Sequence, residues 1–171
     1  MKIKLICLSL LIMSVVTFGS QTPIPPQKPI VVMTNIGEVA GAYDKIGVIF
    51  YSVVNSKNIS TYVQIKDDSM MGGKFDINVS SIPKLAELLN TASEKILTGN
   101  LFSGKAGKAS VSVVEKDGEK VVIVRFETEG ISFSSNRITL DADNAASLAR
   151  ILLRSKRVAD WIAPKMKNLQ K

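Results

Sequence analysis

The chain has 171 residues, 46% hydrophobic and 22% charged, with a formal charge of +7, a single cysteine and no histidine. These proportions suit one globular domain with a substantial core and exclude an intrinsically disordered chain. Without imidazole, and with its lone thiol at Cys7, the chain lacks the usual residues of most catalytic and transition-metal chemistry.

Residues 1–19 have the three-part build of a secretory signal peptide. Lys2 and Lys4 supply the basic start, an apolar run follows from Leu5 to Phe18, and Thr17, Gly19 and Ser20 supply the small residues of a cleavage site. The run of about 14 residues is shorter than the roughly 20 that span a bilayer as a helix. The segment is therefore expected to be removed, leaving no transmembrane segment and an exported chain, periplasmic or secreted. Cleavage takes Cys7 with it and, by removing Lys2 and Lys4, lowers the charge from +7 to +5. Cys7 does not fit a lipidation site, because Ile6 precedes it and the apolar run continues past it. With no cysteine left, no disulfide can form, and packing alone must hold the fold. Residues 20–29 contain Pro23, Pro25, Pro26 and Pro29 and read as an extended tether.

The folded domain is expected over 30–163. Ile46–Val54 is almost wholly apolar and rich in β-branched and aromatic residues, which suits a central strand. A turn at Asn55–Asn58 leads to a strand over Ser60–Lys66, where Thr61, Val63 and Ile65 alternate with Tyr62, Gln64 and Lys66. After a turn containing Gly72 and Gly73, Phe75, Ile77 and Val79 alternate with Asp76 and Asn78. A helix then follows, capped by Ser80 or Ser81, with Pro83 in its first turn and Gly99 at its end. Its apolar face is Ile82, Leu85, Ala86, Leu89, Ala92 and Ile96.

Gly99, Gly104 and Gly107 read as a flexible link to a second unit. There Val111 and Val113 alternate with serines, Asp117-Gly118 makes a type I′ hairpin turn, and Val122, Val124 and Phe126 lie on the return strand. Ile131 and Phe133 differ in parity from Ile138 and Leu140, so a bulge or turn is expected near Ser135-Asn136. A second helix is expected from Asp143 to Ile162, followed by a basic tail over 164–171.

Phe75-x-Ile77 with Leu85-Ala86-Glu87-Leu88-Leu89 lies 63 positions before Ile138-x-Leu140 with Leu148-Ala149-Arg150-Ile151-Leu152. This spacing predicts an α+β fold of two tandem meander-plus-helix units, about 30–98 and 108–163, fused into one domain. The alternative is a single antiparallel sheet with two helices on one face and no true repeat.

Most tempting motifs fail on chemistry. Gly99–Lys105 fits a phosphate-binding loop until Ala106 stands where a magnesium-holding hydroxyl belongs, and it joins a helix to a strand, the reverse of the required order. Ser81-x-x-Lys84 matches the serine–lysine pair of penicillin-recognising enzymes but lacks their companion motifs. Asp141, Asp143 and Asn144 resemble the start of a calcium loop without its glycine or terminal glutamate. Asp143 is explained by the start of the second helix, and Asp67 and Asp68 by a solvated turn. No cofactor and no metal are expected.

The second helix carries the candidate contact surface. At 100° per residue, Leu148, Ile151, Leu152, Val158, Ala159 and Ile162 form its packing face, while Arg150, Arg154, Arg157 and Trp161 form a narrow opposite stripe beside Leu153. Arginine forks suit phosphate or carboxylate, and an exposed indole can stack. Three features account for the stripe without a partner: the helix dipole favours arginines near a C-terminus, a guanidinium can lie over Trp161, and the C-terminal tail or the other unit can cover Trp161. Lys165, Lys167 and Lys171 extend the positive charge.

The chain is thus expected to be an exported, non-enzymatic binding protein, whose partner is an unidentified protein or an anionic molecule. A repeated strand-plus-helix unit is similar in architecture to some single-strand nucleic-acid-binding proteins, such as the plant Whirly proteins. No motif of that family is present, and the leader points away from nucleic acid, so this alternative ranks second. A small hydrolase using Ser81 and Lys84 ranks third.

Overall fold

Among the described residues, alternating apolar and polar residues and apolar runs build eight strands, and 3.6-residue periodicity builds two helices. The structure is a computed structural model and describes residues 30–54, 58–70, 72–127 and 136–166. In chain order it contains β1 (Ile30–Ala40), β2 (Lys45–Val54), β3 (Ile59–Asp67), β4 (Lys74–Asn78), a 3-10 turn (Val79–Ser81) and α1 (Ile82–Leu97). Then follow β5 (Phe102–Ala106), β6 (Ala109–Lys116), β7 (Glu119–Phe126), β8 (Arg137–Leu140) and α2 (Ala142–Met166). The fold is α+β: β1-β2-β3-β4 and β5-β6-β7-β8 form two four-stranded antiparallel sheets, each followed by one helix. A single sheet carrying both helices is therefore not the architecture. The expected leader and tether, residues 55–57, Ile131, Phe133, Ser135, Lys167 and Lys171 lie outside the described residues.

The two sheets share one register. In the first, Gly37 pairs with Val48, Val48 with Ile65, and Ile65 with Phe75. In the second, Gly104 pairs with Val111, Val111 with Val124, and Val124 with Ile138. The next row repeats the match, Phe50–Val63–Ile77 against Val113–Val122–Leu140. All these apolar side chains are buried, because the period of two places each row on the face turned to the core.

The helices cross over. α1 packs against β5, β6 and β7 of the second sheet, α2 packs against β1, β2 and β3 of the first, and the helices pack against each other. Two glycines of equivalent register receive the crossing helices. A Cβ at Gly104 would stand 2.5 Å from Leu88 Cδ2, and one at Gly37 would stand 3.2 Å from Ile151 Cδ1. Leu88 and Ile151 are themselves 63 positions apart. Each unit thus covers the other's sheet, and the shared core explains how a chain expected to lack a disulfide buries so much apolar surface.

The expected flexible link is instead strand β5. Gly104 sits in it because Leu88 leaves no room for a side chain, and Gly107 (φ 58°) opens the two-residue turn to β6. Of that turn's central residues only Gly107 has positive φ, the pattern of a type II′ hairpin. The second unit therefore starts at Phe102, earlier than residue 108. Asp117 (φ 54°) and Gly118 (φ 83°) form the expected type I′ turn between β6 and β7.

The α1 cap also differs from expectation. Ser81 makes no side-chain cap bond, and Asn78 instead accepts from the Ser80 backbone N–H at 2.9 Å, one turn earlier, so a 3-10 turn leads into α1. Gly99 (φ 74°) ends α1 as expected. Its N–H and that of Asn100 reach back to the Ile96 and Lys95 carbonyls, a Schellman closure. α2 continues to a buried Met166, past the expected start of the tail at residue 164.

Candidate functional site

Asp141 starts α2: its carboxylate accepts from the Asn144 N–H at 2.7 Å, and Asp143 lies in the first turn, where its charge suits the dipole. The buried face is Ala145, Leu148, Ala149, Leu152, Ser155, Ala159, Ile162 and Met166. Ile151 and Val158, expected on this face, are partly buried and packed against the core. Ser155 was not legible as a core residue; its hydroxyl turns inward to the Leu152 carbonyl at 2.6 Å, which satisfies it within the helix.

The opposite stripe is open. Arg150, Arg154 and Arg157 are exposed, Leu153 is 39% exposed and Trp161 is 65% exposed. Arg150 donates to Ser147 Oγ at 2.9 Å, whereas Arg154 and Arg157 have no ion pair or hydrogen bond to another described residue. The cation over Trp161 is Lys165, 3.1 Å from the ring centroid, and not an arginine. Asp160 is held aside by Lys156 at 2.7 Å. The structure thus brings Arg150, Leu153, Arg154, Arg157 and Trp161 together on one surface. Lys165 joins them.

The other unit provides an internal comparison. Positions 150, 153, 154 and 157 of α2 correspond, 63 positions earlier in α1, to Glu87, Asn90, Thr91 and Glu94, and position 161 to Thr98, the residue that caps the C-terminus of α1. Each helix crosses onto the other unit's sheet. α1 does so with acids, an amide and a hydroxyl at the first four positions, so the crossing does not demand arginine there; Trp161 has no counterpart within α1.

A second surface escaped the sequence. The outer face of the first sheet, away from its buried rows, carries Val31 (52% exposed), Met33 (62% exposed), Tyr51 and Tyr62. Tyr51 and Tyr62 stack with centroids 5.5 Å apart, and Lys66 and Lys74 pair in a nearby row. Burial and the Asp76 carboxylate that accepts its hydroxyl raise the Tyr51 pKa above its ordinary value. Alternation showed that β3 was a strand but not that its tyrosine would meet another across the register.

Two cavities lie at equivalent junctions. One, about 380 Å³, is lined by the β1–β2 turn with Asp67, Arg137 and Thr139. The other, about 440 Å³, is lined by the β5–β6 turn with Phe126, Lys74 and Asp76. In the second, Phe75 and Phe126 stack 4.1 Å apart. Asp67 occupies the register position of Phe126, and its carboxylate accepts from the Ser69 N–H at 3.0 Å. Near the first cavity, a hydrogen bond from Lys116 lowers the Tyr43 pKa.

The rival motifs do not assemble. Lys84 Nζ lies 3.0 Å from both Glu87 carboxylate oxygens, and no hydrogen bond joins it to Ser81 among the described residues. Gly99 ends a helix and β5 follows, the reverse of a phosphate loop's order. Asp68 pairs with Lys66. Among the described residues no group of three or more His, Cys, Asp or Glu could hold a metal ion, and no helix is long and apolar enough to cross a membrane.

No known protein family and no curated protein matches the chain. A solved structure of SsgB, described through mutations that correlate with longitudinal cell division during sporulation of Streptomyces coelicolor, aligns with 80% of this chain and 92% of its own. The identity is 12% and the TM-score 0.32, too distant to say anything of function.

Proposed function

We propose that the chain is an exported, non-enzymatic binding protein that holds its partner with the Arg150–Leu153–Arg154–Arg157–Trp161 strip of α2. One observation carries this reading: α1 crosses onto a sheet as α2 does, yet shows Glu87, Asn90, Thr91 and Glu94 where α2 shows Arg150, Leu153, Arg154 and Arg157. The crossing therefore does not account for the arginines, and Trp161 stands 65% exposed beside them. The strip's two unpaired arginines are free to fork onto carboxylate or phosphate, and its indole adds apolar area. Lys84 makes an exposed ion pair with Glu87 and no hydrogen bond to Ser81 among the described residues, which gives the serine–lysine hydrolase reading no support. The matched registers and the matched glycines also support a true internal repeat.

The test is capture by the chain from residue 20 onward, with Arg154→Gln/Trp161→Ala as the comparison. Partner capture is expected to fall while the thermal melt stays unchanged; equal capture by both proteins would remove the strip from the account. N-terminal sequencing of the exported fraction checks cleavage near residue 19.

A second reading has its own observation. The stacked Tyr51–Tyr62 pair, with Lys74 on the same sheet, offers a platform on which single-stranded bases stack. Oligonucleotide affinity that neither fell with salt nor responded to Tyr62→Ala would exclude it.

A further inference from the structure

We propose that the partner of the α2 strip is an anionic lipid surface. The inference rests on the strip being the contact surface, and three features select a membrane over a folded protein or a nucleic acid. The first is charge. Arg150, Arg154, Arg157 and Lys165 share one side of α2, and the one acid between residues 150 and 165, Asp160, is paired with Lys156. Each cation near an anionic leaflet contributes about 1 kcal/mol.

The second is the mixture of residue types. Leu153 and Trp161 stand exposed within the cationic stripe. A headgroup layer takes both kinds at once, with guanidinium forks on phosphates and the indole at the boundary between headgroup and acyl chain. A nucleic-acid backbone would use the arginines and leave Leu153 unburied.

The third is shape. Residues 150 to 161 span about 16 Å of straight helix axis at ~1.5 Å per residue. Such a line meets a plane along its whole length and needs no complementary groove. Because the opposite face of α2 is fixed in the core, the helix cannot roll or insert. Contact stays in the headgroup layer.

Trp161 is the single tryptophan of the chain, so its emission reports on this strip alone. The chain from residue 20 is titrated with vesicles of phosphatidylcholine, with and without phosphatidylglycerol, and binding is scored independently by co-sedimentation. The expected result is a blue shift of Trp161 and co-sedimentation only with phosphatidylglycerol, both lost in high salt. Arg154→Gln and Arg157→Gln should each weaken partitioning about fivefold, which is ~1 kcal/mol per cation. No phosphatidylglycerol-dependent binding overturns the lipid proposal. A shift with a soluble polyanion or an oligonucleotide in place of vesicles overturns it too, while leaving the strip as a contact surface. Vesicle binding that leaves Trp161 unshifted and ignores both arginine substitutions overturns the strip itself.

Discussion

Replacing Gly104 by alanine probes the crossing of α1 onto the second sheet. The new Cβ would sit 2.5 Å from Leu88 Cδ2 and 3.3 Å from Phe102 Cζ. Carbon atoms in contact prefer about 3.5–4.0 Å, so buried Leu88 must retreat by roughly 1 Å. Such overpacking costs about 1–3 kcal/mol, offset by ~0.4–1 kcal/mol because alanine restricts the unfolded chain. The net loss is about 0.5–2 kcal/mol, a fall in Tm of roughly 2–6 °C. Leu88→Ala alone removes buried methyl groups and costs about 2–5 kcal/mol. In the double variant the new methyl enters vacated space, so the second substitution should cost nothing. Urea unfolding followed by circular dichroism of all four proteins gives the coupling energy. Losses that add within ~0.5 kcal/mol would mean that Leu88 does not lie over Gly104. Since Leu88 belongs to the first unit and Gly104 to the second, that outcome would refute the crossed arrangement.

Trp161→Ala and Arg154→Gln should leave stability within ~0.5 kcal/mol of the parent in a thermal melt, because both side chains are exposed. Phe126→Ala removes the partner of Phe75 and should cost about 3–5 kcal/mol by urea unfolding. Phenolate absorbance should show Tyr43 ionising below its ordinary 10.0, and Lys116→Gln should move it back toward that value. Tyr51 keeps its proton above 10.0 when folded, so its contribution to stability is complete below 10.0 and lost as pH rises toward the folded pKa. The hydrogen bond from Lys105 lowers the Glu127 pKa from 4.5, so this pair supports the fold above 4.5 and fades as pH falls through the lowered value. Carbon-detected NMR titration of Lys105→Gln should restore Glu127 toward 4.5.

Local pattern disclosed most of the elements and little of their arrangement. β3, β4, β6 and β7 were legible because apolar residues alternate along them, β2 because it is almost wholly apolar and rich in β-branched and aromatic residues, and both helices because their apolar faces are broad. β5 was hidden because Ser103 and Gly104 dilute its alternation, and the need for Gly104 lies in Leu88, 16 positions earlier in another element. The α1 cap was missed because Asn78 acts through a 3-10 turn rather than at the helix boundary. Helical spacing placed all five strip residues on one exposed face, since exposure opposite a packing face follows from the 3.6 period alone. The Tyr51–Tyr62 pair and the helix crossover depend on strand register and long-range packing, which no window of sequence contains.

Matched registers and crossed helices allow the two units to be compared position by position. Where both halves carry apolar residues, as at Ile65 and Val124 or Leu85 and Leu148, the common demand is the core. The informative positions are those where one half follows the fold and the other departs from it. At the strand junctions Phe126, stacked on Phe75, gives one cavity an aromatic wall, while Asp67 at the matching position puts a carboxylate on the wall of the other. On the helices, Glu87, Thr91 and Glu94 of α1 stand where α2 has Arg150, Arg154 and Arg157, and Thr98, just past the end of α1, stands at the position of Trp161. The second contrast changes the sign of charge along two turns, and α2, which continues past the point where α1 ends, adds an exposed tryptophan. Trp161 is 65% exposed with Lys165 over its ring. On the proposed reading the partner covers the rest of the indole, and the cations around it select an anionic one.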